Sequence, residues 1–182
     1  VEYKMTDDLY LNVYLTNLGK YNEGELLGKW VEVTTDTDWK EELKSIGVAD
    51  NTEYEEYFIT GFENNFGLHV NEYTSLQELN EIAEKIEEIN NENLQIEFQS
   101  ILESLGNDSF EEAYNICIDG NYWYCDDVFT DEDLGQYSVD EGLFCGEIPD
   151  GLINYIDYEA IGRDIRLGNG GCFVTNGYIE TF

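Results

Sequence analysis

Carboxylates are the chemically active groups that this sequence offers in quantity. Glu78, Glu81, Glu84 and Glu88 recur at helical spacing, and Asp126, Asp127, Asp131, Glu132 and Asp133 crowd into one short stretch. A pair of carboxylates at a fixed separation can run acid/base hydrolysis, but with 41 Asp+Glu any chosen pair is arbitrary. The second cluster could attract Ca²⁺, yet it lacks the spacing and the bidentate Glu of an EF-hand loop. His69 is the single histidine, so Ser-His-Asp or Cys-His catalysis would rest on one residue without a recognisable nucleophile motif. Gly168-Asn169-Gly170-Gly171 lacks the Lys-Ser/Thr of a phosphate-binding loop. Cys117, Cys125, Cys145 and Cys172 form no CxxC pair, which argues against a zinc site or a thioredoxin-like motif. No catalytic residue, cofactor or dedicated metal site is expected. What remains for the carboxylates to supply is charge itself.

The first acidic group needs a helix to carry it. Ser75 with Glu78 makes a capping-box pattern. Leu76, Leu79, Ile82, Ala83, Ile86 and Ile89 then fall on one side of a wheel turning about 100° per residue. Glu81, Glu84 and Glu88 fall opposite, flanked by Glu78 and Glu87, and Lys85 is the only base in the run. From Glu78 to Glu88 the axis rises about 15 Å, so four carboxylates have a mean axial spacing of about 5 Å. One DNA strand carries a phosphate every ~3.4 Å, a spacing of the same order. Solvent exposure alone explains a charged face. It does not explain the missing lysines, because ordinary surfaces mix both signs.

The other elements follow from the same rules. Strands are expected at residues 9–16, 30–34 and 54–60, with a helix between the last two that starts at Asp38, has Glu41 placed to close a capping box and stops at Gly47. A second middle helix runs from Leu94 to Leu105, with Gly106 at its end, and a third starts at Asp108 or Ser109 and reaches Tyr114 or Ile116. Thr130 and Asp133 cap a helix whose acidic first turn suits its dipole. Pro149 suits a first helical position leading into Leu152, Ile153 and Ile156. Asn176-Gly177, between residues 172–175 and 178–181, predicts a hairpin. The whole reads as α+β: an N-terminal antiparallel α/β unit, a helical middle and a mixed α/β C-terminal part.

The charge imbalance pervades the chain. Residues 1–70 hold 15 acids and 5 bases, residues 71–120 hold 13 and 1, and residues 121–182 hold 13 and 2, for a net charge of −33. A tail would concentrate it at one end. Acidic chains poor in aromatics stay disordered, but this one is 42% hydrophobic and 14% aromatic and can bury a core. A folded protein that keeps a self-repelling shell is expected to use it, either on a basic partner or in a site built for a polyanion. Duplex DNA carries one charge per ~1.7 Å, so 33 charges correspond to about 16–17 base pairs. Nucleic-acid binding is excluded by repulsion, and anionic membrane surfaces are excluded likewise. No apolar run approaches the roughly 18–20 residues of a membrane span. No basic segment precedes an apolar stretch as in a secretory signal, so a cytoplasmic location with reduced thiols is expected.

Two stretches carry a resemblance. The first runs from Tyr14 to Leu26 and contains Tyr21, Glu23, Gly24 and Glu25; the second begins at Gly146-Glu147-Ile148-Pro149 and continues through Asn154, Tyr155, Asp157, Tyr158, Arg163 and Asp164. Together with Glu55-Glu56-Tyr57 and residues 71–75 they resemble the ArdA family of antirestriction proteins, in order and over nearly the whole chain. The resemblance implies a non-enzymatic mimic of B-form DNA that occupies the DNA-binding groove of type I restriction-modification enzymes. It also implies an elongated chain of three small abutting domains, at residues 1–72, 73–116 and 117–182, that forms a homodimer through the third. The segment from Asp119 to Cys125 and the loop from Gly168 to Gly171 diverge from the family pattern. Arg163 is expected to pair locally with Asp157 or Asp164. An acidic regulator or chaperone of another basic protein, a carboxylate- or cation-dependent enzyme, and a salt-adapted ordinary domain are the alternatives that charge alone leaves open.

Overall fold

The computed structural model describes residues 8–106, 109–143, 146, 148–149 and 151–182. The chain divides into two compact units, Val1–Gln95 and Ile96–Phe182. Among the described residues there are seven α-helices and two three-stranded antiparallel sheets, so the mixed α+β class holds.

In the first unit, β1 (Leu11–Asn17) is the central strand, between β2 (Gly28–Glu32) and β3 (Tyr57–Asn64). Its alternation is strict at the start: Leu11, Val13 and Leu15 are fully buried, whereas Asn12 and Tyr14 on the other face are half-exposed. β1 runs straight into α1 (Leu18–Asn22), because Asn17 turns the chain. Its Oδ1 accepts from the Lys20 amide at 2.9 Å, and its Nδ2 donates to the Ile46 carbonyl at 3.1 Å. Asp38 caps α2 (Trp39–Ser45) by accepting from the Lys40 and Glu41 amides, and Gly47 ends it at φ +76°. The third strand lies later than expected, at Tyr57, because the Tyr54 carbonyl is taken by the Ala49 amide and the Thr52 hydroxyl in a local turn.

Helix α3 (Leu76–Glu92) belongs to this first unit. Asn90 locks onto the backbone of Leu9 from both sides, accepting at 2.8 Å and donating at 3.0 Å. The Trp39 indole N–H donates to Asn80 at 2.5 Å. Leu79, Ala83, Ile86 and Ile89 are buried, so the apolar stripe read from the periodicity is the packed one.

The second unit contains α4 (Gln95–Leu105) from its second residue onward, α5 (Phe110–Asp119), β4 (Tyr122–Cys125), α6 (Asp131–Asp140), α7 (Tyr158–Asn169), β5 (Cys172–Val174) and β6 (Gly177–Thr181). Phe98, Ile101 and Leu102 are fully buried, and Phe98 meets Phe110 edge to face at 5.5 Å. The sheet order is β4-β6-β5, and Val128, Leu134 and Tyr178 form a core against it with Trp123, Tyr137, Ile165 and Phe173. Helices α6 and α7 touch through their backbones. A Cβ on Gly135 would come within 1.9 Å of the Tyr158 carbonyl oxygen, and one on Gly162 within 1.8 Å of that of Asp131.

Two local expectations are corrected by the structure, and one strand is added to them. β4 was not foreseen as a strand, because four consecutive half-buried residues, YWYC, give no alternation to read. The hairpin turns one residue earlier than the Asn-Gly signal suggests: Val174 pairs with Gly177, which leaves Thr175-Asn176 as the loop. Gly177 serves the neighbouring strand instead, since a Cβ there would lie 2.1 Å from the Cys125 carbonyl oxygen. Pro149 does not open a helix. Its carbonyl accepts from the Leu152 amide, a single 3-10 turn covers Ile153–Tyr155, Ile156 is extended, and α7 starts only after Asp157. Asp108, Cys145 and Glu147 lie outside the described residues; Cys117, Cys125 and Cys172 are free thiols.

Candidate functional site

The acidic face of α3 is built on a fixed start. The Ser75 hydroxyl accepts from the Glu78 amide at 3.2 Å, and the Glu78 carboxylate accepts from the Ser75 amide at 2.7 Å. That reciprocal pair holds Glu78 below the usual carboxylate range, chiefly through the Ser75 backbone N–H, so it keeps its charge while capping. Glu81, Glu84 and Glu88 are exposed along the same helix. Gln77 donates to Glu81 at 3.0 Å. Glu87, on the flank, accepts from the Thr35 hydroxyl at 2.7 Å and so ties the helix to the segment after β2. The packed side fixes the rotation of the helix, and the rotation fixes where the charges point.

The second group divides. Asp126 and Asp127 are exposed in the turn after β4, and Glu132 is exposed in the first turn of α6. Asp131 is spoken for: Arg166 of α7 holds it in a two-point fork, Nε to Oδ1 at 2.7 Å and Nη2 to Oδ2 at 3.0 Å. This pairing lowers the Asp131 pKa and raises that of Arg166, and the guanidinium also lies over Phe173. Asp133 accepts from the Phe129 amide at 3.1 Å while its own amide donates to the Thr130 hydroxyl. Both bonds brace the start of α6. Hence three of these five acids point freely outward, and two also hold the frame.

Part of the signature holds the fold. Lys20 pairs with Glu23 at 2.9 Å and Glu25 at 3.7 Å, and Tyr54 donates its hydroxyl to Glu23 at 2.8 Å. The Glu23 hydrogen bond raises the Lys20 pKa, and Lys20, followed by Tyr54, lowers that of Glu23. Gly24 takes φ +88° to bring Glu25 back to the same lysine. Tyr21 packs edge-on against Phe58 at 5.1 Å. In the C-terminal block, Asp157 caps α7 by accepting from the Ala160 amide at 3.0 Å, and the Tyr158 carbonyl is the one that presses on Gly135. Asn154, Tyr155, Arg163 and Asp164 are exposed. The arginine held in a fork is Arg166, and its partner is Asp131. Nothing in the spacing could have paired residues 35 apart; only the α6–α7 crossing brings them together.

A family model described as antirestriction protein (ArdA) matches residues 13–180. No curated protein matches the chain significantly.

Proposed function

The chain belongs to the ArdA family of antirestriction proteins, and from that premise we propose that it inhibits type I restriction-modification enzymes by imitating the DNA they bind. The observation that supports this reading most directly is the exposed carboxylate row of α3, held in a fixed rotation by a capping box on one end and Asn90 on the other. A DNA-binding groove presents Lys and Arg at phosphate spacing, and a row of carboxylates at a mean axial spacing of about 5 Å on one helix matches them without a nucleic acid. Glu78, Glu81, Glu84, Glu88, Asp126, Asp127 and Glu132 are the proposed contacts, with Asp131 and Asp133 contributing field while they brace α6. Binding releases counterions and weakens with salt. No chemical step is involved, so no catalytic residue and no cofactor is assigned, and the location is that of the target enzyme, the cytoplasm.

We also propose a homodimer through the C-terminal segment, residues 117–182 of the three-part division into 1–72, 73–116 and 117–182. Leu152, Ile153 and Tyr155 are exposed in the signature block, Tyr155 by 85%, and a second copy would cover them. The test is competition. Purified protein is titrated against a type I enzyme bound to labelled duplex at two salt concentrations, with light scattering to fix the stoichiometry. Displacement near one dimer per enzyme, weaker at higher salt, is expected. A folded protein in large excess that displaces nothing would overturn the reading.

A further inference from the structure

The first sheet has one buried face and one face that is open at its Asn12–Tyr14 end, closing at the buried Thr16. Register organises the open face into two rows. Tyr14 lies opposite Trp30 on one side and Gly61 on the other; two residues earlier, Asn12 lies opposite Glu32 and Glu63. Alternate residues share a face, so an aromatic row sits beside an acidic row about 7 Å away along the strands. Trp30 is 52% exposed and meets Tyr14 edge-on, with ring centroids 5.4 Å apart at 77°. Two glycines make room for the rings: a Cβ on Gly61 would come within 3.3 Å of Trp30 Cη2, and one on Gly28 within 2.6 Å of Tyr14 Cε1. Glu32 and Glu63 are exposed, and neither has an ion-pair partner among the described residues.

We propose that this face docks an arginine of the DNA-binding protein that the chain inhibits, a proposal that rests on the mimicry reading above. A guanidinium is flat, weakly hydrated and forked, so it can stack on an indole while its N–H groups reach carboxylates. The Trp30 ring and the Glu32 and Glu63 carboxylates offer those two surfaces side by side. An ammonium matches only the charge. Charge also selects among occupants. A second copy set against this face would oppose four carboxylates, and a nucleic acid would meet them with phosphates. A basic, arginine-bearing partner leaves none of these groups unpaired. The face thus adds to the carboxylate rows a contact that DNA itself does not present, an aromatic platform for the same side chains.

The test uses the full chain with hexa-arginine and hexa-lysine peptides, titrated by calorimetry, for the wild type, Trp30→Ala and the double variant Glu32→Gln/Glu63→Gln, each checked for folding by circular dichroism. The arginine peptide is expected to bind the wild type about tenfold more tightly than the lysine peptide. That preference disappears in both variants. Equal affinities for the two peptides in the wild type, or a preference that survives both variants, would overturn the proposal. The same proteins go into the enzyme competition assay, which separates the two readings. A wild type that inhibits but shows no arginine preference refutes the docking face and leaves mimicry standing; one that prefers arginine through Trp30 but inhibits nothing leaves the docking chemistry standing and refutes the target.

Discussion

Asp131 and Glu132 are neighbours of the same charge with different tasks. Glu132 faces solvent, whereas Asp131 is gripped at two points by Arg166. Because Arg166 depresses the Asp131 pKa in the fold, its stabilisation is present above the ordinary carboxylate value of about 3.9 and is lost as pH falls through the lower folded-state value. Asp131→Asn should therefore melt several degrees below the wild type at neutral pH, and the gap should close on acidification below that range; scanning calorimetry across a pH series checks it. The buried Cys117 makes a second residue-level statement. Burial, followed by the nearby Glu97 carboxylate, pushes its thiol up to about 12, and only the thiolate reacts. Alkylation at pH 8, read peptide by peptide in a mass spectrometer, should spare Cys117 in the native protein and reach it in urea.

At the scale of elements, the α6–α7 crossing is the tightest joint described. Gly135 and Gly162 each stand where a methyl group would strike backbone oxygen rather than a movable side chain. Gly162→Ala should cost at least about 1–3 kcal/mol, the usual penalty for overpacking, and urea denaturation would measure it; an unchanged midpoint would mean that the helices separate freely. This joint could not be read in the sequence. An isolated glycine in a helical stretch looks like a propensity defect until the partner helix is seen. Helix α3 was legible because its capping box, period and acid stripe all agree, and α6 was legible from Thr130 and Asp133. The hairpin was legible in kind but not in register, since Gly177 answers to Cys125 in the adjacent strand. β4 was illegible because a strand half-buried on both faces shows no alternation. Of the candidate acids, sequence spacing identified the row on α3, but it could not tell Asp131, consumed by a remote arginine, from Glu132 beside it. The open sheet face escaped for the same reason: Trp30, Tyr14, Glu32 and Glu63 come from three strands and meet only through register.

For the molecule as a whole, charge acts as a sum. With 41 acids against 8 bases, each unit is strained by its own repulsion, and added salt should raise the melting temperature by screening it. The same salt should weaken inhibition, so stability and activity move in opposite directions along one titration. No single carboxylate dominates such a sum. Glu84→Lys alone should leave inhibition nearly intact, whereas reversing Glu78, Glu81, Glu84 and Glu88 together should weaken it by an order of magnitude or more, about 1.4 kcal/mol for each tenfold step. The competition assay distinguishes the two. Complete loss of inhibition from the single change would point to a specific site in place of a distributed field.

The bare contact between α6 and α7 also bears on how such a protein can drift. Any Asp on an exposed turn can become Glu, or move along the helix, and leave the field almost unaltered. Any side chain at Gly135 or Gly162 forces the two helices apart, because the space beside them is occupied by peptide oxygen. On the mimicry reading, descendants of this chain are thus free to reshuffle the proposed contact acids while holding constant two buried glycines that serve only the packing of α6 on α7. A saturation library selected for inhibition should tolerate exchange at exposed acids such as Glu81, Glu84 and Glu132 and deplete replacements at Gly135 and Gly162, the larger side chains most strongly.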